Sequence, residues 1–173
     1  ENLLDTRSFT DQKAFDRFMV DQEAANVLAE KASSRLRAEK KSADTILSAT
    51  TSLSKASEEL KSATSGLAAK QTLREQSLSQ NKSRALEASQ KQSKARGVPL
   101  NERKWEEEYD QFMEKEIQVL EEADADQKNE VLRATESLND AVRFLTTAKE
   151  AHNKLVSTNE LEALQDLEAV TSA

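Results

Sequence analysis

Residues 96–105 read RGVPLNERKW, and they include the only proline of the chain, Pro99, two positions after Gly97. A glycine readily takes the left-handed conformation just beyond a helix end, and a proline cannot continue that helix. Asn101 then offers a side chain that can cap a following helix. The stretch therefore predicts a sharp turn at 97–101, centred on Gly97-Val98-Pro99, between two helical arms.

The apolar residues on both sides of this turn recur every seven positions. Large residues of the first arm, beginning at Ile46, are each followed three places later by an alanine, and the second arm repeats this arrangement from Val131. In an antiparallel coiled coil, a large side chain fits where the facing residue is small. Pairing positions whose numbers sum to 194 gives the following layers: Ile46 with Ala148, Ala49 with Leu145, Leu53 with Ala141, Ala56 with Leu138, Leu60 with Ala134, and Ala63 with Val131.

We therefore predict an all-α fold, a single domain over 1–173 in the form of a long antiparallel helical hairpin. The first arm covers 8–96 and the return arm 102–156, with breaks near 40 and 66 left open. Capping-box patterns at 8–11 and 157–160 predict an N-terminal helix and a short C-terminal helix over 158–171. The same periodicity allows an alternative, a four-helix bundle with breaks near 40, 66 and 124.

Composition and charge agree with long helices. Only 4% of the residues are aromatic and 33% are charged, which is typical of extended helical proteins rather than compact globules. Residues 1–96 hold 17 basic and 13 acidic side chains, a net +4, whereas 97–173 hold 8 and 19, a net −11. A basic arm followed by an acidic one favours pairing of the two arms with each other.

The residue types for catalysis or cofactor binding are scarce. The chain has no cysteine, a single histidine (His152) and only two glycines, so thiol chemistry and a glycine-rich phosphate loop are both excluded. The many carboxylates have no evident pocket around them. We therefore expect no catalytic residue, no metal site, no cofactor and no small-molecule substrate.

Polar residues interrupt the apolar seam of the second arm. The 194 pairing places Lys70 opposite Asp124, Leu67 opposite Gln127 and Ser42 opposite His152. Because a polar layer inside a coiled coil fixes register, Lys70–Asp124 is the predicted registry pair.

The N-terminal arm is the predicted surface for a partner. Residues before 21 have no counterpart under the 194 pairing, since the sequence ends at 173, and this region is rich in aromatic residues. Such a face can fold back as a third helix or dock on another protein. The candidate partner-binding residues are Phe9, Phe15, Phe18 and Met19.

These features favour a non-enzymatic structural or scaffold subunit, a helical spacer that binds other protein subunits. The alternatives are an amphipathic protein of lipid or membrane surfaces, which the acidic balance disfavours, and nucleic-acid binding through the basic 31–96 arm, where the acidic arm would compete with phosphate. The sequence begins at Glu1 without methionine, so a cleaved segment for organelle import or export stays open.

Overall fold

The computed structural model describes residues 12–172 and contains three α-helices. They are α1 (Gln12–Arg96), α2 (Glu102–Ala123) and α3 (Ala125–Thr171), and no strand occurs within this range. The predicted all-α class is therefore confirmed.

Helix α1 is continuous over 85 residues. It passes through positions 40 and 66, where breaks had been left open, because a single glycine weakens a helix by only about 1 kcal/mol and no proline lies in the segment. A side chain added at Gly66 would meet no atom within 4 Å. The predicted cap at 8–11 and the start of the arm at residue 8 lie outside the described residues.

The predicted turn follows α1. Gly97 has a φ of 68°. Its amide donates to the carbonyl of Lys94 (3.3 Å), and the amide of Val98 donates to that of Ser93 (3.1 Å). These two bonds form a Schellman motif, which satisfies carbonyls at the helix end. Asn101 caps α2 by accepting a hydrogen bond from the amide of Lys104 (3.2 Å).

The return arm is divided at Asp124, where α2 ends and α3 begins one residue later. The backbone amide of Asp124 donates to the carbonyl of Glu121 at 3.2 Å, a tight last turn, while its carbonyl accepts from the amide of Lys128 at 2.9 Å. Of the three breaks in the four-helix alternative, the one near 124 is present and those near 40 and 66 are not. The return arm predicted over 102–156 thus consists of α2 and the first part of α3.

The predicted separate helix over 158–171 is also wrong, because α3 continues without interruption to Thr171. The Oγ1 atom of Thr158 donates to the carbonyl of Lys154 one turn earlier (2.9 Å), as it does inside a helix. Asn159, in the middle of the presumed cap, uses its amide on Glu39 of α1 instead (2.8 Å).

The chain divides into two compact units. The first consists of residues 12–51 and 143–172, and the second of residues 52–142. In the second unit, the end of α1 contacts α2: the Nε1 atom of Trp105 donates to Oγ of Ser89 (2.9 Å), and Gln90 donates to Glu102 (2.8 Å).

The buried apolar residues among the described positions are all small. They are Ala49 and Ala148 in the first unit and Ala56 in the second, with exposed fractions of 0%, 8% and 7%. No large side chain in this part of the chain is fully buried. Each unit therefore has a narrow apolar seam rather than a thick core.

Candidate functional site

Three of the four predicted partner-binding residues lie at the beginning of α1. Phe15 and Phe18 are partly buried, and Met19 is 39% exposed. Phe9 lies outside the described residues. Their role in binding a partner stays a prediction.

An apolar groove lies beside these residues, in the first unit, and the sequence reading missed it. Its volume is about 840 Å³. It is formed by one stretch of α1 and the end of α3, and most of its lining side chains are apolar. The lining includes Val20, Ala24, Val27 and Leu28 of α1 with Ala169 and Val170 of α3. Val20 and Val27 are seven residues apart and are 64% and 47% exposed. That heptad spacing is the signal in the sequence that could have identified them.

Two residues that line the groove, Lys31 and Asp166, form an ion pair. The ammonium group of Lys31 lies 3.1 Å from a carboxylate oxygen of Asp166, and Arg35 bonds to Asp166 and, at 3.3 Å, to Glu162. The hydrogen bond from Arg35, followed by that from Lys31, lowers the pKa of Asp166. Conversely, the hydrogen bond to Asp166 raises the pKa of Arg35. These ion pairs join α1 to α3 within the first unit.

A second polar contact lies farther along the same helices. Asn159 is 8% exposed, and its side-chain amide donates to Glu39.

The Nδ1 atom of His152 is buried and has no hydrogen-bond partner among the described residues. The same described range contains no group of three or more side chains suited to hold a metal ion.

The second unit has its own buried ion pair, and it differs from the predicted one. Asp124 is 3% exposed and accepts a hydrogen bond from Arg74, whereas Lys70, the predicted partner, is exposed. The bond from Arg74 is the main cause of the lowered pKa of Asp124. Arg74 lies one helical turn beyond Lys70, and the four-residue stutter between Leu67 and Leu78 brings it into the seam. The prediction of a Lys70–Asp124 pair is therefore wrong in its cation.

Aromatic and charged residues accompany the turn in the second unit. Trp105 stacks on Tyr109 with ring centres 5.0 Å apart. Lys82 of α1 lies 2.9 Å from Glu106 and 3.0 Å from Asp110, and the hydrogen bond to Glu106 is the largest cause of its raised pKa. Four cations of the basic 31–96 segment are thus paired with carboxylates that follow the turn at 97–101; they are Lys31, Arg35, Arg74 and Lys82.

Comparison of the chain with protein-family models, with curated proteins and with solved structures finds no match. Across residues 12–172, none of the helices is both long and apolar enough to cross a membrane. The candidate site of the first unit is thus an apolar groove between α1 and α3 whose lining includes the Lys31–Asp166 ion pair.

Proposed function

We propose that the chain is a non-enzymatic structural or interaction subunit, a helical spacer that presents the beginning of α1 to other proteins. In this proposal, α1 pairs antiparallel with α2 and α3 through layers of large residues and alanines, and the turn at 97–101 joins the two arms as a hairpin. The experiments below test the pairing and the presentation separately.

The observation that carries the proposal is the pattern of burial along the seam. Ala49, Ala56 and Ala148, the most buried apolar residues, are all members of the predicted layers. Their assigned partners, such as Leu145 and Leu138, are partly buried, whereas Leu47, outside the layers, is 68% exposed. Small residues facing large ones allow close packing of two helices over many turns.

The contacts between helices support the same pairing. Ser89 and Trp105, which share a hydrogen bond, have numbers that sum to 194. Arg74 with Asp124, and Glu39 with Asn159, sum to 198 in both cases, one helical turn away. Partners later in α1 thus contact residues earlier in the following helices, as antiparallel pairing requires.

Crosslinking tests the pairing. Because the chain has no cysteine, the double variant Leu53→Cys with Ala141→Cys introduces a single pair across one proposed layer. We expect a disulfide within one chain under mild oxidation. The matched control, Leu53→Cys with Ala134→Cys, shifts one partner by two turns to another partly buried position of the same unit and should crosslink much less. Equal crosslinking in both variants would refute the layered pairing.

Affinity capture from the native source tests the presentation of α1. The variant Phe18→Ser with Met19→Ser should lose specific proteins that the unchanged chain retains. The control Leu132→Ser removes an exposed apolar side chain (61% exposed) in the second unit and should retain them. If both variants and the unchanged chain capture the same proteins, the beginning of α1 is not the presented surface.

A further inference from the structure

The groove in the first unit lies next to a stripe of α1 that other helices of the described chain leave open to solvent. Val20, Ala24 and Val27 follow one another at spacings of four and three residues, so they lie on one face of the helix. All three are exposed, and all three line the groove together with Val170, which is 54% exposed. An exposed apolar stripe with this spacing is the surface that a further helix covers in a coiled coil.

The charges that flank this stripe identify the helix that fits it. Asp16 and Arg17 precede Val20 by four and three residues, and Glu30 and Lys31 follow Val27 by three and four. Residues at these spacings lie beside the valines on the same face. Along the chain, these six positions are acidic, basic, apolar, apolar, acidic and basic. When a second copy runs antiparallel, each acidic position faces a basic one and each valine faces a valine.

We propose that a second copy of this chain packs antiparallel on this stripe, with a two-fold axis between Glu23 and Ala24. Each residue then faces the residue of the other copy whose number, added to its own, gives 47. Val20 of each copy faces Val27 of the other, so this apolar contact occurs twice and buries four valines. This inference rests on the proposed function as an interaction subunit and names the chain itself as one partner.

The same arrangement forms two kinds of ion pair, each of them twice. Asp16 faces Lys31, and Arg17 faces Glu30. All four side chains belong to exposed residues. Lys31 already lies 3.1 Å from Asp166 and keeps 53% of its side chain exposed, so it can contact a second carboxylate.

The register with a sum of 47 sets Glu23 opposite Ala24 beside the axis, but it pairs the valines with each other and gives all four flanking charges an opposite partner. Neighbouring registers lose that combination. A shift by one turn to a sum of 51 sets Asp21 opposite Glu30, two like charges. The opposite shift, to a sum of 43, sets Val27 opposite Asp16 and Val20 opposite Glu23, so that carboxylates lose water against apolar side chains. Because an isologous interface repeats every contact, each mismatch would occur twice.

Sedimentation equilibrium of the 173-residue chain tests association directly. We expect the apparent mass to rise with concentration from 19.3 kDa toward twice that value. The substitution Val20→Lys should raise the dimer dissociation constant by about tenfold or more, since it places a charge opposite Val27 in the apolar part of the interface. The control Leu36→Lys, at a position 67% exposed elsewhere on α1, should leave the constant unchanged. A chain that stays monomeric throughout overturns the proposal.

Charge reversal tests the antiparallel register. Arg17→Glu alone sets a new carboxylate opposite Glu30 and should weaken the dimer. The double variant Arg17→Glu with Glu30→Arg exchanges the two charges in both copies, and it should restore association to near that of the unchanged chain. A dimer that the double variant does not restore refutes this register.

A single cysteine locates the axis. Ala24→Cys should form a disulfide-linked dimer readily, whereas Ala29→Cys, also exposed but on another face of α1, should not. Equal crosslinking of the two variants would overturn the assigned face. A monomeric chain that still captures other proteins would remove this inference alone, whereas a dimer that captures nothing else would remove only the proposed presentation to other proteins.

Discussion

The two glycines of the chain allow one test of α1, because the same substitution should act in opposite directions at the two sites. Gly66 lies in the middle of α1, and an added Cβ would meet no atom within 4 Å. Alanine is better than glycine inside a helix by roughly 0.8–1 kcal/mol. Gly66→Ala should therefore stabilise the chain by about 1 kcal/mol. Gly97 also has open space, but its φ of 68° is unfavourable for a Cβ. Gly97→Ala should therefore destabilise by about 1–2 kcal/mol.

The expected change in melting temperature follows from the size of the chain. Unfolding entropy is about 2.1 cal/mol/K per residue, so 173 residues give roughly 0.36 kcal/mol/K at the midpoint. A gain of about 1 kcal/mol at residue 66 then raises the melting temperature by about 3 °C, and the change at residue 97 lowers it by about 3–6 °C. Thermal unfolding followed by circular dichroism measures both. A lower melting temperature for Gly66→Ala would contradict a continuous helix there and would support the broken helix of the bundle alternative.

Three further changes test the seam and its polar layers by denaturation. Ala49→Leu should cost about 1–3 kcal/mol through overpacking at a position with 0% exposure, whereas Ala43→Leu, at an exposed position of α1, should change stability little. Asp124→Asn should make the free energy of unfolding fall less steeply at acidic pH. Because folding lowers the pKa of Asp124, the stability that its charge contributes is complete above the unfolded pKa near 3.8. That stability is lost as the pH falls through the lower pKa of the folded state. An unchanged acid profile would show that the ion pair contributes nothing. Trp105→Phe should lower the free energy of unfolding by about 0.5–1.5 kcal/mol, because it removes the donor to Ser89. In a double-mutant cycle, Ser89→Ala should then cost less in the Trp105→Phe background than in the unchanged chain.

Local signals near the turn could be read from the sequence because neighbouring residues determine them. Gly97 and Asn101 take the conformations that their residue types favour, and their partners lie within five positions. The capping box at 157–160 is equally local, yet α3 continues through it. There, Asn159 bonds to Glu39, 120 positions away. A contact across such a separation overrides a local preference and leaves no trace in the immediate sequence.

The candidate site shows the same division. The predicted partner-binding residues include Phe15, Phe18 and Met19 but not Val20 and Val27, which line the groove and whose heptad spacing is visible in the sequence. Predicting the partner of Asp124 would have required the helix register beyond Leu67, where the spacing of apolar residues changes from seven to eleven. A difference of one helical turn separates Lys70 from Arg74, and charge alone does not distinguish the two cations.

The absence of large buried side chains among the described residues means that little in the seam opposes sliding of one helix along the other. The proposed repeat of large residues and alanines recurs every seven positions. A slip of seven residues, about 10 Å along the axis, would therefore keep part of the apolar matching in the second unit, with Leu53 opposite Ala134 and Ala56 opposite Val131. The slip would separate Asp124 from Arg74 and Asn159 from Glu39. Asp124 is 3% exposed and Asn159 is 8% exposed, so both would lose a hydrogen bond while buried. These two buried polar contacts therefore select one alignment of the helices, and the short turn at 97–101 with the ion pairs of Lys31, Arg35 and Lys82 supports the same alignment.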